Sequence, residues 1–171
     1  MIRQSWQTPP SLQAHFSPKG GCTDAIVHEI QQARHEVLVL AYSFTSRSIA
    51  QALVDAKLRG VHVEILLDAS QEKEANSDLH FFIEQGLNPQ IDAHHAIAHN
   101  KVMVIDGRTL LTGSFNFTQQ AEEHNAENLL VFRHYSDLAA LYRRNFLAHK
   151  EHSRQPDAKA QPVEQRHAKA A

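Results

Sequence analysis

Between Glu36 and Tyr42 the chain passes through Val37-Leu38-Val39-Leu40-Ala41 without a polar side chain. Extended backbone sends alternate side chains to opposite faces, so this segment needs apolar cover on both. Strands of that kind belong to parallel sheets held between helices. The flanking segments agree. Upstream, Thr23 or Asp24 can cap a helix in which Ile26, Val27, Ile30 and Ala33 recur at helical spacing. Downstream, Ser46 opens a second helix with Ile49, Ala52, Leu53 and Ala56 on one stripe, stopped by Gly60. Val61 to Leu67 then reads as another buried strand. Strand, helix, strand predicts a parallel pair with a right-handed crossover.

The second half of the chain follows a different rule. Asn100 to Ile105 and Thr109 to Thr112 are apolar, β-branched runs joined through Asp106-Gly107, a strong hairpin signal that makes them antiparallel neighbours. Around them, Gln71 to Ser77 reads as polar loop, Asp78 to Gln85 as a short helix and Asn88 to Asp92 as a strand. Leu129 to Phe132 reads as a further strand and Ser136 to His149 as a helix. Near the N-terminus, Ala14 to Ser17 is a short strand candidate. The expected fold is therefore α/β, a mixed β-sheet with helices on both faces, in a single domain. At 171 residues one core is the natural size. The expected boundaries are a polar N-terminal arm at 1–12, the folded domain at 13–152 and a disordered tail at 153–171. In that tail Val163 is the only sizeable apolar side chain.

Composition narrows the function classes. The net charge of −2 carries no basic footprint of a general nucleic-acid binder, but 13 histidines would reverse its sign on full protonation. Phosphate binding should therefore depend on pH. A single cysteine, Cys22, excludes an internal disulfide and any cysteine-based zinc cluster. No apolar run approaches the roughly 18 residues of a membrane span. Met1 to Gln7 lacks a signal peptide's apolar core, so a cytoplasmic location is expected as the chain stands, and a periplasmic one if the true start lies elsewhere.

The chemistry concentrates in His99-Asn100-Lys101 and Gly113-Ser114-Phe115-Asn116, which the hairpin brings to one end of two strands. On extended backbone His99 and Lys101 share a face, and so do Ser114 and Asn116. An imidazole, an ammonium, a hydroxyl and a carboxamide converging there suit an anionic tetrahedral centre. Lys101 supplies a point charge, Ser114 and Asn116 neutral donors, and His99 a nucleophile or proton carrier.

His-x-Lys-x4-Asp followed by Gly-Ser-x-Asn, complete here as His99, Lys101, Asp106, Gly113, Ser114 and Asn116, resembles the HKD motif of the phospholipase D superfamily. The resemblance extends to Phe16-Ser17-Pro18, Gly20-Gly21-Cys22-Thr23-Asp24, Ala41-Tyr42-Ser43-Phe44-Thr45-Ser46 and Asn125-Ala126-Glu127-Asn128. It is nearest to the branch of small, single-motif bacterial endonucleases called Nuc. It implies a metal-independent phosphodiesterase acting through a phosphohistidine on His99, with no cofactor. Glu127 matches the family carboxylate that hydrogen-bonds the reactive histidine, while Asp106 and Gly113 take structural parts. The mechanism needs two histidines, one to attack phosphorus and one to protonate the leaving oxygen. With one full motif in the chain, the family solution is a homodimer that sets His99 of each subunit at a shared site. His94, His95 or His124 acting as the acid within one chain is the alternative.

Three functions compete. The first is a non-specific endonuclease on DNA, with RNA also open, whose groove Arg34, Arg47, Lys57 and Arg59 are candidates to line. The second is a phospholipase D acting on membrane phospholipid head groups. The third is a nucleic-acid-binding module that does not turn over. The trio His94, His95 and His99 invites a metal, but no His-Glu-x-x-His accompanies it and Lys101 would set a positive charge beside the ion, so no metal ligand is assigned. Lys19-Gly20-Gly21 ahead of a helix could offer amides to a phosphate, although a plain turn accounts for it.

Overall fold

The computed structural model describes residues 9–157. One seven-stranded sheet runs through it in the order β1-β7-β6-β5-β2-β3-β4. The strands are β1 (Ser11–Ser17), β2 (Glu36–Ala41), β3 (His62–Asp68), β4 (Gln90–Asp92), β5 (Lys101–Ile105), β6 (Thr109–Gly113) and β7 (Glu127–Arg133). The helices are α1 (Cys22–Gln32), α2 (Arg47–Leu58), α3 (Leu79–Glu84), α4 (Gln119–Glu123) and α5 (Ser136–His152). Strands β2, β3 and β4 are parallel, whereas β5, β6, β7 and β1 add to β2 as an antiparallel series. The sheet is mixed because the chain builds half of it from strand–helix–strand units and half from hairpins.

Alternation along the strands divides the interior in two. Val37, Val39 and Ala41 of β2, Met103 and Ile105 of β5, and Leu129 and Val131 of β7 face a large core shared with buried residues of α1, α2 and α3. Leu38 and Leu40, Val102 and Val104, and Leu110 face a smaller core closed by Ala139 and Phe146 of α5. Burying each such side chain stabilises the fold by about 1.5–3 kcal/mol. Both faces of β2 are covered, as its composition demands.

The structure differs from expectation at several edges. The polar arm assigned to 1–12 is shorter, because β1 already begins at Ser11, pairing Ser11 with Arg133 and Leu12 with Phe132. Residues 153–157, assigned to the tail, are part of the fold. Arg154 exchanges backbone hydrogen bonds with Ile91 (2.7 and 2.9 Å) and grips Glu72 (2.7 Å), so the chain seals the outer edge of β4. Arm residues 1–8 and tail residues 158–171 lie outside the described residues. Helix α5 runs to His152, three residues past its expected end, and β7 starts two residues early, at Glu127. Helix α4 was not expected at all. Its five residues are started by the Thr118 hydroxyl, which accepts from the Ala121 amide at 3.0 Å.

Candidate active site

Register places the motif. Lys101 opens β5 opposite Ala41, Gly113 ends β6 opposite Leu129, and Glu127 opens β7 opposite Ser17. The C-terminal ends of β1, β2 and β6 and the N-terminal ends of β5 and β7 therefore share one end of the sheet, and His99, Lys101, Ser114, Asn116 and Glu127 all come from it. His99 is exposed at the rim, with its ring against Tyr42 (centroids 4.6 Å apart). Lys101 is only 7% exposed. Its Nζ donates to the His99 carbonyl at 2.9 Å and lies 5.0 Å from the centre of the Tyr42 ring. Burial holds the Lys101 pKa below the ordinary lysine range, and Glu127 opposes that shift. Tyr42 thus braces both His99 and Lys101, a role that sequence reasoning did not assign to it.

Gly113 is required by close approach. A Cβ there would meet the Asn128 carbonyl oxygen at 2.3 Å. That contact lets the Ser114 and Phe115 amides both donate to the Asn128 carbonyl at 3.1 Å. In return the Ser114 hydroxyl accepts from the Asn128 backbone N–H (3.0 Å) and side-chain amide (3.3 Å). Ser114 is therefore tied to the β6–β7 connection. Asn116 is not: its Oδ1 is shielded from solvent and has no hydrogen-bond partner among the described residues. Leaving such an atom unpaired costs about 1–3 kcal/mol, a cost that a bound group or second subunit could relieve.

Glu127 is positioned by its backbone. Its amide donates to the Ser17 hydroxyl (3.2 Å), which donates to the Asn125 carbonyl (2.9 Å), while the Asn125 side chain donates to Glu127 Oε1 (3.3 Å). Among the described residues no hydrogen bond joins Glu127 to His99. Ser17, Asn125 and Asn128 are the supporting groups that the motif alone did not name.

Asp106 sits at the other end of β5, with φ 51° in the turn. Its carboxylate accepts the backbone N–H groups of Arg34 (3.0 Å), His35 (2.8 Å) and Glu36 (3.0 Å). Burial pushes its pKa up, but these three donors outweigh burial and hold it below the usual carboxylate value. It clamps the start of β2.

The structure removes three of the four proposed groove cations. Lys57 donates to the Gly86 carbonyl, Arg59 to the Ile30 carbonyl at 2.9 Å, and Arg34 lies beside Asp106 at the far end. Helix geometry explains it, since Lys57 and Arg59 end a helix whose first residue, Arg47, marks the site end. Arg47 itself pairs with Asp78 at 3.2 Å. The amides after Lys19 are already occupied: Glu122 accepts from Gly21 (3.0 Å) and Thr23 (2.7 Å). His94 and His95 turn away from His99 toward α5, His94 packing on His152 with centroids 4.6 Å apart.

Comparison with known proteins follows the same outline. Residues 26–150 match the family model described as "Cardiolipin synthase, PLD-like domain". A curated relative from Rickettsia bellii, named phospholipase D, is 43% identical over 135 residues, covering 79% of this chain and 67% of its own length. Among solved structures, Nuc, a phospholipase D family member from Salmonella typhimurium, superposes with a TM-score of 0.83 at 34% identity, over 86% of this chain and 98% of Nuc. NucT from Helicobacter pylori shares the fold, with a TM-score of 0.79 at 22% identity over 86% of this chain and 99% of its own.

Proposed function

Since this chain belongs to the phospholipase D superfamily and is a hydrolase of phosphodiester bonds, we propose that it is an endonuclease cutting DNA, with RNA an open second substrate, with little sequence preference and without a catalytic metal. The supporting observation is the match to Nuc over 98% of that chain's length, which sets this protein beside a phospholipase D family member of nearly the same extent. The exposed position of His99 supports it, because a polymer can reach a rim where a deep pocket would exclude it.

In the proposed reaction a ring nitrogen of His99 attacks phosphorus as the bond to the leaving oxygen breaks. The partner subunit's His99 gives that oxygen its proton. Water then attacks the phosphohistidine, losing its proton to the partner subunit's His99 while the P–N bond breaks and His99 is regenerated. Lys101 and Asn116 offset the charge that builds on the phosphoryl oxygens, and Ser114 holds the strand end from which Asn116 projects. The site is complete only in a twofold dimer. Phosphate contacts carry no base identity, which is why little sequence preference is proposed.

A second reading, phospholipase D activity on lipid head groups, is favoured by the name of the Rickettsia bellii relative and by the description of the matching family model. One experiment separates the two. Wild type and His99→Asn are incubated at about pH 6.5 in excess chelator with supercoiled plasmid or with phospholipid vesicles. Nicking by wild type alone supports the nuclease. Head-group release without nicking transfers the assignment to the lipid, and activity in neither arm leaves the binding module. Sedimentation equilibrium should give twice the chain mass.

A further inference from the structure

At the end of the sheet away from β1, four side chains converge that sequence spacing keeps apart. Asp92 ends β4, His95 lies in the connection toward β5, and His149 and His152 stand one turn apart on α5. One donor atom from each lies within 4.8 Å of all the others. Asp92 is at the centre. His149 Nδ1 is 2.6 Å from its carboxylate, His152 Nε2 3.3 Å and His95 Nδ1 3.4 Å. We propose that Asp92, His95, His149 and His152 form a structural site for a divalent late transition ion of the zinc class.

The donor set is the first argument. Three imidazoles and one carboxylate make the borderline N3O environment that zinc favours, and metal–ligand bonds of about 2.0–2.1 Å set tetrahedral donors about 3.3 Å apart. The Asp92–His152 and Asp92–His95 separations already match, and the shorter Asp92–His149 hydrogen bond would open as the proton gave way to the ion. The second argument is an unfilled valence. His152 Nε2 is shielded from solvent and, among the described residues, its one ion-pair partner is Asp92 Oδ1 at 3.3 Å, off the alignment of a good hydrogen bond, so the contact is electrostatic and the nitrogen's lone pair stays open to an ion. Supporting contacts are in place too, because the His94 amide donates to Asp92 Oδ1 at 3.1 Å and orients the carboxylate. An ion has a way in, since the His95 side chain is 44% exposed while that of Asp92 is 1% exposed.

This centre is not the catalytic one. β4 and β5 are three strand positions apart in the sheet, so about 14 Å separates Asp92 from the strand that Lys101 opens, and His99 is not among the four donors. What the ion would do is fasten the last turn of α5 to the segment 93–100, which carries His99.

The test is calorimetric titration of zinc chloride into the untagged full chain after chelator treatment and dialysis. One equivalent per chain should bind with a Kd in the micromolar range or tighter. Zinc should raise the Tm, and cobalt should give visible absorption of tetrahedral intensity. The double variant His149→Ala/His152→Ala should bind at least about 100-fold more weakly, with His95→Asn as a milder check on an exposed loop residue should the double variant fail to fold. His99→Asn should bind as wild type does. Absence of stoichiometric binding by wild type overturns the proposal, as does binding that survives loss of His95 or of both α5 histidines, or cobalt in an octahedral spectrum.

Discussion

At the Ile105 end of β5, Asp106 gathers the amides of Arg34, His35 and Glu36, and the donors around it have partners within the chain. At the Lys101 end, Asn116 Oδ1 has no partner among the described residues, His99 stands at the surface, and a buried lysine is held by one carbonyl and the face of a ring. The two ends belong to one five-residue strand and draw on one motif. Their difference separates polar groups that complete the fold from polar groups kept available for a ligand, and substitutions at the two ends should fail in different ways.

The largest effect is expected at His99. His99→Asn should lower phosphodiester cleavage by at least ~10⁴-fold, because the proposed nucleophile is gone, with thermal unfolding unchanged. A clear fall in Tm would blur the distinction between the ends. Lys101→Met should cost about 10²–10³-fold in kcat, read by single-turnover cleavage of a radiolabelled oligonucleotide, and should leave urea unfolding at or above wild-type stability because a buried charge is removed.

The far end should show the reverse. Asp106→Ala should destabilise the chain by about 2–3 kcal/mol in urea, since three amides lose a charged acceptor, while activity per folded molecule stays near wild type. The pH dependence follows from the same carboxylate. With its folded pKa below the unfolded value near 3.8, Asp106 contributes stability in full above that value, and the contribution fades as pH falls through the lower folded one. Asp92 behaves likewise. Burial opposes the shift, but hydrogen bonds from His149 and the His94 amide, with the nearby His152 and His95 imidazoles, bring its pKa to about 2, so its contribution disappears between about pH 4 and pH 2. Acid titrations by circular dichroism should show Asp106→Asn losing part of this dependence and wild type keeping it.

The smallest effect is a lack of one. Cys22 is fully buried, and burial, with Glu122 next, pushes its thiol up to about 11. Iodoacetamide at pH 8 should leave it unmodified in native protein and alkylate it in urea, by mass spectrometry. Rapid native labelling would mean that this core opens near the site.

Much of this contrast was readable beforehand. The apolar run of β2 and the Asp106-Gly107 hairpin rest on local pattern, and local pattern survives folding. The motif residues shared a sheet end because strand alternation and one tight turn suffice to put them there. What was missed depends on long-range register. Tyr42 meets His99 only because β2 pairs antiparallel with β5, which nothing in either strand specifies. Helix α4 is too short for a periodic signal and rests on its Thr118 cap. The polar Ser11 and Gln13 hid the first three residues of β1, whose edge position asks for cover on little of its surface. The Asp92 cluster joins residues 57 positions apart, beyond any spacing rule.

The pairing of β1 with β7 carries a consequence for synthesis. The first strand closes on the last, and the Ser17 hydroxyl that anchors Glu127 is 110 residues away from it in sequence. A nascent chain can zip β2 against β3 early, but the carboxylate corner cannot exist until Arg133 has cleared the ribosome tunnel. The corner that the proposed reaction uses is thus among the last parts of the sheet to form, and a fragment truncated before β7 lacks it altogether.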